Sequence, residues 1–171
     1  FDGAGQLQQR FWAGTLGVSV VSGRFGASRD GDLIVSGDDL ATFGLMPPQF
    51  VSVDISDQRL RAYENGRPVR SFLVTTGLKK FPTPIGNFSV LAKPYLVRYK
   101  KIYGPGNPDN YDFGFVPYNL KLLNSGIYIH YAPWRKVFGN RGSHGCINVD
   151  LQNAKWIYEW ADVGTRVVIQ E

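Results

Sequence analysis

Over most of this chain, hydrophobic and polar residues alternate in short runs instead of recurring at helical spacing. Residues 50–54 and 59–64 follow the period of two that sends successive side chains to opposite faces of a strand. Asn65-Gly66 separates the second run from a third at 67–76; both residues tolerate positive φ, so the pair predicts a tight hairpin. Residues 88–93, 126–130 and 165–170 are further strand candidates. One segment departs from the pattern: residues 151–160 read as a helix, with Asp150 as N-cap and an end before Gly164. The expected fold is mainly β, sandwich-like, with one or two short helices.

The longest irregular stretch, residues 94–125, carries Tyr95, Tyr99, Tyr103, Tyr111, Phe113, Phe115 and Tyr118 beside Arg98, Lys100 and Lys101. Loops of that length in a compact domain tend to form lids or binding walls, so an aromatic lid loop is expected, with Tyr103 and Tyr118 as candidates to line a substrate site. Thr83-Pro84-Ile85-Gly86 reads as a rigid turn between strands. Residues 1–47 differ from the rest: they hold nine of the twenty glycines and no Lys, and three Arg against five Asp leave them at −2, whereas 48–171 carries +7. They contain short apolar stretches at 16–21 and 33–35 and a brief amphipathic one near 7–12. Met46-Pro47-Pro48 reads as the boundary, because consecutive prolines interrupt regular structure. The expected organisation is an extension, or the remnant of an upstream module, at 1–47 and a principal domain at 48–171.

Composition is that of a globular chain: 171 residues, 43% hydrophobic, 19% charged, 14% aromatic. No apolar run approaches the ~18 residues of a membrane span. A single cysteine excludes an internal disulfide. The first residue is Phe1 and not Met, which leads us to expect that an export signal or anchor preceded it.

That one cysteine, Cys146, sits in Ser143-His144-Gly145-Cys146-Ile147-Asn148, beside one of only two histidines; the other, His130, lies sixteen positions upstream at the end of an apolar run. A lone cysteine is commonly a small buried hydrophobe and a strand histidine a satisfied core residue. Their concentration here points instead to a cysteine nucleophile and a histidine base. A free thiol titrates near ~8.5 and needs an imidazole or backbone dipoles to react at neutral pH. Gly145 would allow close approach of a substrate carbonyl, and peptide N–H groups around Cys146 would meet a developing oxyanion. If residues 131–142 fold back as a loop, Cys146 reaches His130, which takes the thiol proton. His144 is the weaker candidate for base and is assigned to shaping the site, and Ser143 to hydrogen-bonding support. Asn148 and Arg141 are candidates for substrate carboxylates, with Trp134 and Arg135 bordering the cleft.

The motif Ser-His-Gly-Cys with an upstream Ile-His resembles the signature of the L,D-transpeptidase catalytic domain. Val53-Asp54, Gln58-Arg59-Leu60, Thr76-Gly77, the Thr83 to Phe88 segment, the Ile129 to Trp134 segment and Val163-Gly164-Thr165-Arg166-Val167 resemble its landmarks in order, over about residues 48–171. Tyr131 stands where a small residue often follows the histidine, and Asn148 where Arg is commoner. The resemblance implies a bacterial cell-wall enzyme acting outside the cytoplasm. Its cysteine attacks the third, diamino-acid residue of a peptidoglycan tetrapeptide stem, releases D-alanine and passes the acyl group to an amine, forming a 3→3 cross-link or anchoring a protein. Water as acceptor would make the same site an L,D-carboxypeptidase. It further implies that the carbonyl of Tyr131 orients His130, that a flap covers the cleft, that carbapenem-type β-lactams acylate the thiol, and that no metal or organic cofactor takes part. A zinc site from His130, His144 and Cys146 lacks a fourth ligand and paired spacing. The +5 charge is modest for a nucleic-acid partner and equally suits anionic cell wall. A wall-binding module with a degenerate site is the remaining alternative, against which the intact Cys146 and His130 argue.

Overall fold

The computed structural model describes residues 48–171 throughout and, before them, the backbone of four strands: β1 (Gln9–Ala13), β2 (Leu16–Val20), β3 (Gly26–Ala27) and β4 (Leu33–Val35). These four form a sheet of order β1-β2-β4-β3. The described part of the amphipathic stretch near 7–12 is therefore strand, while Met46 and Pro47 of the expected boundary lie outside the described residues. The chain divides into two compact units, residues 1–49 with 63–69, and residues 50–62 with 70–171.

The main sheet has five strands in the order β7-β6-β5-β14-β8, formed by β5 (Gln49–Asp54), β6 (Arg59–Glu64), β7 (Arg67–Leu73), β8 (Gly86–Ser89) and β14 (Arg166–Gln170). A smaller sheet joins β11 (Asn119–Leu123), β12 (Ile127–Tyr131) and β13 (Ile147–Val149). Both contribute to one core, with Val51, Val53, Leu60, Val167 and Ile169 from the first and Leu120, Leu122, Ile129, Ile147 and Val149 from the second. Helix α1 (Leu151–Trp160) adds Ala154 and Ile157 to it. Its N-cap is Asp150, whose carboxylate accepts from the Asn153 N–H at 2.9 Å and so satisfies one of the orphan donors of the first turn. The mainly β expectation holds, with one helix among the described residues.

Asn65 and Gly66 turn the β6-β7 connection with φ of 49° and 79°, the conformation that the Asn-Gly pair predicts. The run at 50–54 does not alternate in burial. β5 lies between β6 and β14, pairs parallel with β14, and is buried on both faces. Its polar Asp54 is met by the Ser56 hydroxyl at 2.8 Å and the Asp57 N–H at 2.9 Å. The strand expected at 88–93 ends early because the chain changes sheets there: the Val90 N–H donates to Thr165 O and the Leu91 N–H to Lys121 O.

Residues 94–125 are not the irregular lid loop that was expected. They contain β11 and an antiparallel ribbon of β9 (Leu96–Lys101) and β10 (Tyr111–Pro117), with a bulge between Asp112 and Gly114. The bulge adds a residue to one strand and shifts the alternation by one, which hides the strand from a period-two reading.

Candidate active site

β12 and β13 run parallel in a register that sets Ile129 opposite Ile147, His130 opposite Asn148 and Tyr131 opposite Val149. Cys146 immediately precedes β13 and is level with Tyr128 in this register, two positions along the ladder from the histidine. The connection, residues 132–146, is held by the segment that follows β7: the Gly142 and Ser143 N–H groups both donate to Thr76 O, at 2.8 and 3.0 Å. Thr76 is fixed in turn by the buried amide of Gln58, which accepts from the Thr76 N–H at 2.9 Å and donates to its hydroxyl at 2.6 Å.

The loop carrying the nucleophile is closed by hydroxyls. Ser143 Oγ donates to Cys146 O at 2.5 Å and accepts from the Gly145 N–H at 3.1 Å. Thr83 Oγ1, 3% exposed, accepts from the Gly77 N–H at 2.8 Å and donates to Gly145 O at 2.9 Å. Gly145 has φ of 111°, a conformation that strains any residue with a Cβ; a Cβ there would also lie 2.9 Å from Ile127 Cδ1, the end of a side chain that would have to shift.

His130 is 1% exposed, with Nδ1 against Tyr131 O at 2.5 Å and Nε2 against Asn148 Nδ2 at 2.9 Å. A carbonyl only accepts, so Nδ1 carries the hydrogen and Nε2 the lone pair, the tautomer of a base. Burial lowers the imidazole pKa to about 4, a loss that the bond to Tyr131 partly opposes. The ring of Tyr99 stacks on it at 4.1 Å between centroids. The Cys146 thiol donates to Gly126 O at 3.5 Å. Cys146 is half-buried by surface, yet the protein packed around its sulfur pushes the thiol pKa up to about 11. At rest the pair is therefore a neutral thiol and a neutral imidazole, each hydrogen-bonded to a third group.

Cys146 and His130 line a cavity of about 350 Å³ together with Ser143, His144, Asn148, Trp134 and Tyr103. The β9-β10 ribbon supplies Tyr99, Lys101, Tyr111 and Phe113 to its wall, and Trp134 stacks on Phe113 at 3.9 Å. His144 is packed among Phe81, Tyr111 and Tyr103; its Nε2 is buried without a hydrogen bond, and burial lowers its pKa. Asn148 reaches this wall but is 3% exposed, with its amide committed to His130, so it does not present itself to a substrate carboxylate as expected. Arg141 is not in the cleft: its guanidinium pairs with the Glu171 carboxylate at 3.1 Å. Tyr118 is not there either, and packs on Tyr95 and Tyr158. Sequence reasoning passed over Tyr99 as the ring covering His130 and Thr83 as the tie to the cysteine loop. The alternation of Val97, Tyr99 and Lys101 was a usable signal for the first.

The family model of the L,D-transpeptidase catalytic domain matches residues 48–169. Probable L,D-transpeptidase 3 of Mycobacterium tuberculosis is 34% identical over 100 residues, covering 56% of this chain and 36% of its own length. The L,D-transpeptidase from Mycobacterium smegmatis superposes with a TM-score of 0.68 at 32% identity, over 72% of this chain and 59% of that one. The LD transpeptidase LdtMt1 in complex with imipenem gives 0.68 at 29% identity, over 72% and 59%. The match spans 36% of Probable L,D-transpeptidase 3 and 47% of L,D-transpeptidase 1 of Mycobacterium tuberculosis, less than half of each. With a cysteine and a histidine set on adjoining strands inside the matched region, the chain belongs to the L,D-transpeptidase catalytic domain family.

Proposed function

We propose that this domain is a cysteine-dependent acyltransferase acting on peptidoglycan stem peptides outside the cytoplasm. The observation that supports it most is that Cys146 and the lone-pair tautomer of His130 line one cleft, which contains no acidic residue among those described. In the reaction the S–H turns from Gly126 O to His130 Nε2, displacing the Asn148 amide. The thiolate sulfur then bonds to the carbonyl carbon of the third stem residue. The resulting imidazolium is stabilised by Tyr131 O and the face of Tyr99. The Gly145 N–H is already given to Ser143, so the N–H of Cys146 itself is the donor assigned to the oxyanion. His130 returns its proton to the departing D-alanine amine as the tetrahedral adduct collapses to a thioester. An amine of a second stem, or of a protein, attacks that thioester, giving its proton to His130 and restoring the thiol.

The test is intact mass after incubation with imipenem. A one-to-one adduct is expected on the wild type and none on Cys146→Ala, with His130→Ala acylated about 10²- to 10⁴-fold more slowly. An adduct that survives in Cys146→Ala would remove the proposed nucleophile. Incubation of the wild type with a tetrapeptide stem then reads the acceptor directly, as dimer with a second stem or as tripeptide with water.

A further inference from the structure

Arg135 is the cation of the cleft that the protein leaves without a counter-ion. One Nη2 hydrogen goes to Gly142 O at 2.8 Å; Nε is buried with no acceptor, and no carboxylate among the described residues pairs with the group. Burial lowers its pKa, so the guanidinium has lost water without recovering an equivalent partner. The space it occupies is provided by the absence of a side chain: a Cβ on Gly142 would lie 2.9 Å from both Nη1 and Nη2. Gly142 belongs to the same loop as Cys146, and its N–H is anchored to Thr76 O, which fixes the guanidinium relative to the nucleophile. Lys101 is the other basic residue in the wall, but it is exposed, with its ammonium 5.8 Å from the centre of the Tyr103 ring.

From this geometry we propose that Arg135 anchors a carboxylate of the donor, setting the acyl carbon against Cys146. This deepens the acyl-transfer reading and rests on it. A planar fork with unused donors matches a carboxylate bidentately, which a lysine does not. The carboxylate has two sources in a stem: the C-terminal carboxylate of the leaving D-residue, or a carboxylate on a residue before the scissile bond.

The experiment compares the wild type, Arg135→Gln, Arg135→Lys, Gly142→Ala and Lys101→Gln on a tetrapeptide stem with a free C-terminus and on the same peptide as its C-terminal amide. Alkylation of Cys146 by neutral iodoacetamide reports the integrity of the thiol. Arg135→Gln is expected to lower kcat/KM on the free acid by about 10- to 100-fold with iodoacetamide alkylation unchanged, the span of one charge-assisted contact. Gly142→Ala should show the same loss by displacing the guanidinium, and Arg135→Lys a partial one. If the amide is poor for the wild type and no poorer for Arg135→Gln, the terminal carboxylate is held. If Arg135→Gln loses equally on acid and amide, the held carboxylate precedes the scissile bond. Wild-type rates on the free acid in Arg135→Gln, loss of iodoacetamide reactivity together with turnover, or a loss that follows Lys101→Gln instead, would each overturn the assignment. Should the wild type turn over no stem at all, the acyl-transfer reading fails by itself, and the ratio of iodoacetate to iodoacetamide alkylation decides the role of Arg135. A tenfold fall in Arg135→Gln supports it; an unchanged ratio refutes it.

Discussion

His130 combines a proton-accepting role with near-complete burial, and the two make opposite demands. In the unfolded chain an imidazole titrates near ~6.5, but in the folded protein burial lowers this to about 4. Between those values the unfolded chain binds the proton and the native one does not, so stability rises with pH across that window and is lost as pH falls through it. The contribution is about 3 kcal/mol once pH is below 4. Urea unfolding at pH 7 and pH 5 should show a larger loss for the wild type than for His130→Gln. At the other end, the Cys146 thiol at about 11 leaves acylation flat from about pH 5 to above 9. An ion-paired site would decline near ~8 to 9, and a pH profile of imipenem acylation distinguishes the two. Cys146 and His130 were legible as residues because their types are rare in this chain. From sequence, Arg141 was chosen for a substrate carboxylate and Arg135 was set only at the border of the cleft. The reversal depends on Arg141 turning to Glu171, thirty residues away, and on Gly142 making room for Arg135.

Elements reach the site through turns more than through strands. Thr83 bridges the turn after β7 to the cysteine loop, with one hydroxyl bonded to Gly77 N and Gly145 O. Thr83→Val keeps the shape and strands two buried backbone groups, at a cost of about 2–4 kcal/mol. Thermal unfolding should show that loss, with Thr83→Ser restoring most of it and restoring acylation by imipenem. The resemblance identified Thr83 and Gln58 as landmarks, but only the structure shows what each holds. Strand positions were readable where alternation survived, as in β6 and β14, and where a short apolar run stood out, as in β12. The bulge that resets the period hid β10, whereas β5 was read as a strand and only its burial on both faces was not. The helix was read to its ends, because Asp150 and the apolar spacing act locally and need no partner.

Across the molecule, charge and chemistry fall in the same residues. The basic excess lies in residues 48–171, and the wall of the cleft carries Arg135 and Lys101 with no acidic residue opposing them. Such a surface draws anionic ligands, and raising salt should slow acylation by an anionic carbapenem more than alkylation by iodoacetamide. The parallel pairing of β12 with β13 has a further consequence, for when the protein becomes reactive in its lifetime. Parallel neighbours cannot be joined by a tight turn, so residues 132–146 must be closed into a loop before any ladder bond rewards the closure. Contacts of that kind form late in folding. A newly made or newly unfolded chain thus has a cysteine without a base, and it stays latent until the last sheet is assembled. In refolding from urea, imipenem acylation should return after the far-ultraviolet circular dichroism signal, which makes chemical competence itself the marker of a finished fold.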